Sequence, residues 1–446
     1  MKKIILLTIA FVTLNNSYAQ STEKWSLRKC VDYAMKNNIS VKQADVQARI
    51  ASLQLKQAKL YQLPSASFST NIGPSFGRSL DLSTNGYTNL ASLSQNYNLQ
   101  GGIEIFGWGK LKNSAEAAEF NLKAALTDIE KAANDVALSV ATYYLQILSA
   151  NQQIGITKVQ IQQTKNNLDA TRKRVDAGAL PELNALEFES QLAADSTNLV
   201  AAETNYNQAL LSMKGLLNLD AAKPFDVDIP NVETIPLENL ADLQPESVYL
   251  LALDNQPNIK SNRFRIKSGE KNILVNKSGL YPSITGSYAL STGYIDYLTN
   301  TGFSKTAYFT QLNTNFRQNL GVGISVPIFN NGTNRINYEQ SKLNLQNTKV
   351  NEEQIEQKLK LDIYTSYSNA VSALQKFNAS KKQVEVAQKA FDFATKRYDV
   401  GLLNTLDLIT NQNNLLRAKT QNLADQYDYV FKMKLLEFYK GQGLKL

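Results

Sequence analysis

Histidine is absent from the 446 residues. That removes Ser-His-Asp catalysis, imidazole metal sites and the usual general base near neutral pH. A single cysteine, Cys30, excludes an intrachain disulfide and any multi-cysteine zinc or iron–sulfur centre. Proline is scarce, ten residues in all, and the stretches 109–177 and 333–400 contain none. Charge of one sign is lacking too: 47 Lys and Arg lie scattered among 39 Asp and Glu, a formal +8. Such a balance describes a solvated surface, not a nucleic-acid footprint. Beyond the first twenty residues no apolar run approaches a membrane helix, so any span the mature chain makes must be β. What is present is apolar content, 43% of the chain, which excludes wholesale disorder.

The first residues carry targeting. Lys2 and Lys3 precede an apolar stretch from Ile4 to Leu14, and Asn15-Asn16-Ser17-Tyr18-Ala19 leads to Gln20. This is the pattern of an exported protein, with residues 1–19 as a signal peptide cut after Ala19. Its apolar core falls short of the roughly 20 residues of a retained span. Cys30 lies too far downstream for a lipoprotein cleavage site, so no acyl anchor is expected.

The rest of the chain repeats itself. Residues 34–67 align without a gap on 252–285, where Asn37 matches Asn255, Lys42 matches Lys260, and Pro64-Ser65 matches Pro282-Ser283. From residue 105 the register moves by five and then holds. Ile105-Phe106 matches Ile328-Phe329, Gly109 matches Gly332, Tyr144 matches Tyr367, Asp176 matches Asp399, and Gly178 matches Gly401. A repeat has to be read before any single motif. Residues 20–219 form the first structural repeat: a helix, two strands within about 64–107, and a helical hairpin over about 109–219. A linker, 220–245, holds Pro224, Pro230, Pro236 and Pro245. Residues 246–446 form the second repeat, with strands within about 281–329 and a hairpin over about 332–440.

Residues 24–62 and 246–280 read as helical, the latter with a break near Pro257, and both stop before a Pro-Ser pair. The proline-free segments read as helices about 100 Å long at 1.5 Å per residue. Each ends at a glycine, Gly178 or Gly401, which suits a left-handed helix terminus. A return helix starts at once, with Pro181 at a favoured first-turn position in one copy and Asn404 as a cap in the other. A hairpin of that length has no globular core of its own and needs neighbouring helices. On the second return helix Ile409, Leu416, Leu423 and Val430 alternate at heptad spacing with Asn413, Thr420 and Tyr427. The mixed seam suits a water-lined tube of helices; a dimeric coiled coil is the plainer alternative, and it leaves the strands unexplained.

Four segments alternate with period two: 67–80, 91–106, 282–295 and 313–328. In the first, Phe68, Ile72, Phe76 and Leu80 share one side while Ser67, Ser69, Asn71, Gly73 and Ser75 share the other. In the last, Phe316, Leu320, Val322, Ile324, Val326 and Ile328 oppose Asn313, Asn315, Asn319, Gly321 and Gly323. Lipid outside and water inside a membrane barrel demand this pattern. A soluble sheet on a core produces it as well, but four such strands after an export signal favour the barrel. Four strands cannot close one, since the smallest known have about eight; three protomers supply twelve.

With these elements in place, the sequence resembles the TolC-type outer-membrane efflux proteins (outer membrane factors) over essentially its whole mature length. The motifs Arg174-Val175-Asp176-Ala177-Gly178-Ala179-Leu180 and Arg397-Tyr398-Asp399-Val400-Gly401-Leu402-Leu403 resemble that family's periplasmic tips. The resemblance implies a mixed α and membrane-β fold of two repeats. Four strands per protomer would enter a shared twelve-stranded trimeric barrel, and long antiparallel helical hairpins would form a periplasmic tunnel. It implies a homotrimer in outer-membrane lipid, a periplasmic adaptor (membrane fusion) protein and an inner-membrane pump of RND, ABC or MFS type, with no cofactor and no nucleic acid.

By the same resemblance, Val175, Gly178, Leu180, Val400, Gly401 and Leu402 would form grooves that dock the adaptor, besides making the turns. Asp407 falls where the family often places an acidic ring narrowing the tunnel mouth, and a second acid common one turn on is replaced here by Thr410. Three carboxylates near one axis would repel anions and attract cations. The local reading also stands: three residues after Asn404, a carboxylate stabilises a helix N-terminus. Arg397 and Tyr398 would make inter-helix contacts that hold the mouth closed. The expected function is the exit duct of a tripartite efflux system. The alternatives are the conduit of a type I protein secretion system and, in a different class, a non-conducting periplasmic coiled-coil scaffold. An enzyme is disfavoured, because nothing organises acids such as Glu187 and Glu189, and Gly321-Val322-Gly323 is too short for a dinucleotide fingerprint.

Overall fold

The computed structural model describes residues 24–81, 85–230, 235–298 and 305–441. The signal peptide assigned to 1–19 lies outside the described residues. In chain order the elements are α1 (Leu27–Asn37), α2 (Ile39–Leu60), β1 (Ser67–Asp81), β2 (Gly86–Phe106), α3 (Lys110–Asp176), α4 (Leu183–Leu217), α5 (Pro245–Asn255) and α6 (Pro257–Ser278). There follow β3 (Ser283–Tyr297), a short α7 (Tyr308–Thr314), β4 (Arg317–Ser325), α8 (Thr333–Asp399) and α9 (Thr405–Lys440). The segment expected to be one helix over 24–62 is broken at Asn38, whose backbone is extended (φ −62°, ψ 140°). The Asn38 side chain donates to Leu216 O at 2.7 Å and accepts from Ser40 N at 2.8 Å, so it serves as a cap. Compaction does not follow the repeats: one unit takes the described residues up to Asp45 with 128–259 and 355–441, the other takes 46–127 and 260–354.

The second unit holds a single antiparallel sheet in the order β1-β2-β3-β4. Thr70 pairs with Tyr97, Tyr97 with Thr292, and Tyr288 with Leu320. The even residues of β1, β3 and β4 therefore share a face with the odd residues of β2. That face carries Phe68, Ile72, Phe76, Leu93, Leu99, Ile103, Leu290, Val322 and Ile324; its opposite carries Ser69, Asn71, Asn96, Asn98, Ser287, Asn319 and Gly321. On β1 and β4 the apolar face is bare, Leu320 being 89% exposed. Within the described residues no strand pairs with the outer edge of β1 or β4. No described helix is both long and apolar enough to cross a membrane.

One boundary departs from expectation. Residues 313–316 do not extend β4; Asn313 and Thr314 end α7, and β4 begins at Arg317. The pairing of β3 with β4 runs only from Ser283↔Ser325 to Ser291↔Arg317. Above it, side chains of α7 take over the edge of β3: Gln311 donates to Ile295 O and accepts from Ile295 N, and Asn315 donates to Gly293 O.

The first unit is helical with three cores, one of them beneath the hairpin turns. Around α1, α3, α4 and α9, Leu27, Cys30, Tyr144, Leu148, Met213, Leu217 and Val430 pack together. Burial there pushes the Cys30 thiol up to about 12, because a thiolate would lose its hydration. Nearby Leu243, Val248, Ile363, Met433 and Leu436 form a neighbouring core. The link between the repeats is strapped to α9 by the buried Lys434, which donates to Pro236 O at 2.6 Å and to Glu437 at 2.8 Å. The α9 seam expected to face water is packed instead. Ile409, Leu423, Tyr427 and Val430 are buried, Asn413 meets Gln191, and Thr420 accepts from Gln153. Asn413 and Thr420 pair with polar partners on α4 and α3 and so tolerate burial, whereas the Tyr427 hydroxyl is buried without a partner.

Candidate functional site

The first unit carries both hairpin turns, and they are built alike. After α3, Gly178 takes φ 74°, its N–H donates to Val175 O at 2.8 Å, and Ala179 N donates to Arg174 O at 2.8 Å. After α8, Gly401 takes φ 76°, its N–H donates to Tyr398 O at 3.1 Å, and Leu402 N donates to Arg397 O at 2.8 Å. This nested pair satisfies carbonyls that a helix end leaves free, and only glycine adopts the left-handed position without strain. A Cβ at either glycine would meet open space, so the requirement is conformational, not steric crowding.

The chain departs from the turns differently in the two copies. At the second, Asn404 accepts from Asp407 N at 2.7 Å and starts α9 as an N-cap. At the first, Glu182 precedes α4 with no side-chain cap. Pro181 lies just before the helix, not inside its first turn.

Beneath the turns lies a small core of Leu168, Ala185, Phe188, Phe391, Ala394, Tyr398, Leu408, Ile409 and Leu415. Tyr398 is its centrepiece. The ring meets Phe188 edge-on at 6.2 Å, and the hydroxyl lies 2.9 Å from Thr171 Oγ1 and 3.4 Å from Thr405 Oγ1. Thr405 also accepts from Asn184 Nδ2 at 2.7 Å. Arg174 crosses between the copies: its guanidinium lies 5.6 Å from the Tyr398 ring, donates to Tyr398 O, and pairs with Asp399 at 3.3 Å. Tyr398 thus joins helices from both repeats. Arg397 does not: it donates to Leu402 O in its own turn.

Below this core a polar layer spans the hairpins. Thr164 donates to the buried Asp195 at 2.6 Å and accepts from Gln412 at 2.7 Å, while Gln191 bonds both Asp195 and Asn413. Sequence reading singled out Val175, Gly178, Leu180, Val400, Gly401, Leu402, Asp407, Thr410, Arg397 and Tyr398. It missed Thr171, Arg174, Asn184, Phe188, Thr405 and the Asp195 layer as a joined group. The available signal was a charged or amide side chain at a position otherwise given to an apolar stripe, as at Asp195.

The outward parts of the site are apolar or acidic. Val400 and Leu402 are 69% and 68% exposed, whereas the matching positions of the first copy are Ala177 and Ala179. Gly178 and Gly401 are exposed, and Val175 and Leu180 are half-buried. Asp407 is exposed on the first turn of α9, its backbone carbonyl taken by Asn411. Thr410 is exposed too, its hydroxyl turned back to Leu406 O.

The family model described as "Outer membrane efflux protein" matches residues 31–219 and 248–439. Toxin and drug export protein A of Aggregatibacter actinomycetemcomitans is 23% identical over 422 residues, covering 94% of this chain and 86% of that one. The pyoverdine export outer membrane protein OpmQ of Pseudomonas aeruginosa is 23% identical over 355 residues, covering 77% and 69%. Among solved structures, CusC superposes with a TM-score of 0.79 at 18% identity, over 96% of this chain and 94% of that one. The outer membrane protein VceC of Vibrio cholerae gives 0.77 at 16% identity, over 94% and 97%. With both repeats matched and the fold shared with outer-membrane channels, this chain belongs to the outer membrane efflux protein family.

Proposed function

We propose that the hairpin tips form the adaptor-docking and gating end of an export duct. The chain is an outer-membrane exit duct, with the polar face of its sheet lining the barrel and its helices reaching into the periplasm. It works passively with an inner-membrane pump and a periplasmic adaptor. In the proposed assembly three copies pair β1 of one protomer with β4 of the next, giving twelve strands and no free edge. The pump is of RND, ABC or MFS type and chooses the cargo together with its adaptor. The name of the first relative above, toxin and drug export, keeps a protein-secretion conduit as the second reading, since both uses need the same duct.

One observation carries the docking assignment: a rigid glycine turn presents Val400, Gly401 and Leu402 outward while Tyr398 fixes the turn from within. Val175, Gly178 and Leu180 make the equivalent, shallower surface on the first copy. Bare aliphatic side chains on a fixed turn suit a helical hairpin partner. Leu402→Asp should abolish export while the trimer and its bilayer conductance persist; normal export would remove the tip from the docking surface.

Asp407 of three copies would form the acidic ring at the tunnel mouth, with Thr410 in place of a second acid. Tyr398 would hold the mouth closed through Thr171 and Thr405, and Arg397 would act through the Leu402 turn alone. Single-channel recording tests the ring. Asp407→Ala should raise the conductance and weaken cation preference, whereas an unchanged pore would refute it. A soluble monomer or dimer with no bilayer activity would promote the scaffold reading.

A further inference from the structure

The described part of the connection from β3 to β4, residues 305–316, lies on the apolar side of the sheet. Its α7 packs on the apolar face, at the end remote from the helices. Thr292, on that face, donates to Leu312 O. The Tyr308 hydroxyl lies 2.6 Å from that of Tyr97 and donates to Gln95, and its ring sits 4.8 Å from Tyr294. Lys305 pairs with Asp296 at 3.1 Å, and the side chains of Gln311 and Asn315 close the edge of β3. Phe309, edge-on to Tyr308, is nevertheless left 81% exposed.

A second aromatic group marks the helix-side end of the same face, because a β-bulge between Glu104 and Phe106 brings Phe106 opposite Ile284. Trp108 lies 5.3 Å from Phe106 and 4.9 Å from Tyr281, and its indole N–H donates to Pro282 O at 2.8 Å. Phe106 and Tyr97 are nine residues apart on β2. The β-bulge takes up one of these residues, which leaves about 26 Å along the strand and, at a tilt of about 40°, about 20 Å along the barrel axis. The apolar band of an outer-membrane barrel is about 25 Å tall and is flanked by aromatic girdles. The two groups are therefore spaced nearly as the two lipid–water boundaries are, with Leu99, Ile103 and Leu290 between them.

We propose that α7 is a surface anchor in the outer leaflet. Phe309 enters the lipid, while Tyr97, Tyr294 and Tyr308 sit at headgroup level, the hydroxyls of Tyr97 and Tyr308 tied together and the Tyr294 ring against that of Tyr308. Anchoring fixes the depth of the barrel and holds this stretch of the β3–β4 connection away from the pore. Tyrosine suits the place because its ring is apolar and its hydroxyl wet. The inference rests on the apolar face of the sheet meeting lipid, and the experiment separates the two.

Phe309→Trp is made in a Trp25→Phe, Trp108→Phe background and reconstituted in phosphatidylcholine vesicles with acyl chains brominated near the headgroup or near the bilayer centre. Leu320→Trp in the same background reports the face itself. The Phe309→Trp fluorophore should be quenched at least twofold more by shallow than by deep bromines and should be shielded from iodide. Quenching of Leu320→Trp by bromolipid alongside iodide quenching, or no quenching at all, at Phe309→Trp would overturn the anchor and keep the barrel. Bromolipid insensitivity at both sites would overturn both. Should the background fail to assemble, Phe309→Cys carrying a nitroxide label is the substitute, since the one native thiol, Cys30, is buried. A label more accessible to oxygen than to a water-soluble nickel chelate supports the anchor, and the reverse refutes it.

Discussion

The two hairpin tips share a backbone and differ in what they do with it. Both turn through a left-handed glycine with the same nested pair of hydrogen bonds. Position by position, however, Val175 stands opposite Tyr398, Ala177 opposite Val400, Ala179 opposite Leu402, Pro181 opposite Asn404, and Asn184 opposite Asp407. The second copy thus holds the anchoring tyrosine inside and the larger aliphatic residues outside. The first contributes the reaching side chains, Arg174 and Asn184, that land on the second. Duplication supplied two equal turns, and divergence made one the keystone and the other its brace.

The largest expected effect tests what the tips share. Gly178→Pro and Gly401→Pro each remove a donated N–H and force φ near −65° on a position that needs +74° or +76°. Export should be lost with the trimer intact on a native gel, and export at the wild-type level from either variant would show that turn geometry is dispensable. Next comes the asymmetry. Tyr398→Ala should destabilise the tip locally by about 3 kcal/mol, and Val175→Ala by about 1 kcal/mol. Amide exchange over 391–409 measures both; equal losses would erase the keystone. Asn404→Ala should cost about 1 kcal/mol and speed exchange in the first turn of α9, while Glu182→Ala should leave α4 within about 0.5 kcal/mol. Matching effects would mean the cap is idle. The smallest effect is that of Arg174→Lys. The lysine keeps the charge near Asp399 but loses the guanidinium's contacts with the Tyr398 ring and carbonyl, so the loss should stay at or below about 1 kcal/mol. Thermal melts that show a larger drop would make Arg174 the principal tie between the copies.

The turns and strands were legible because their signals are local. A glycine followed by a capping residue specifies a helix end within a few residues, and alternation specifies both faces of a strand. Hence Gly178, Gly401, Asn404 and the even face of β1 were placed from sequence. The start of β4 was misplaced because it depends on where β3 stops pairing, and Gln311 and Asn315 decide that through bonds spanning 16 and 22 residues. The seam of Asn413, Thr420 and Tyr427 was read as facing water because each carries a polar group. Gln191 and Gln153 on other helices satisfy two of them, and Tyr427 is simply buried, its hydroxyl unpartnered and pushed up to about 12 by lost hydration. The centrality of Tyr398 was invisible for the same reason: Thr171 and Phe188 lie more than two hundred residues away.

By itself the sequence determined the duplication, the helix and strand periods, the turns and the polar and apolar faces of the sheet, since each is set by residues close along the chain. The tertiary structure alone decided which helices share a core, which polar groups are satisfied in pairs, that Arg174 and Asn184 reach the other copy, and that α7 lies on the apolar face. Those depend on partners brought together across the chain, and desolvation settles them only once the partners have met.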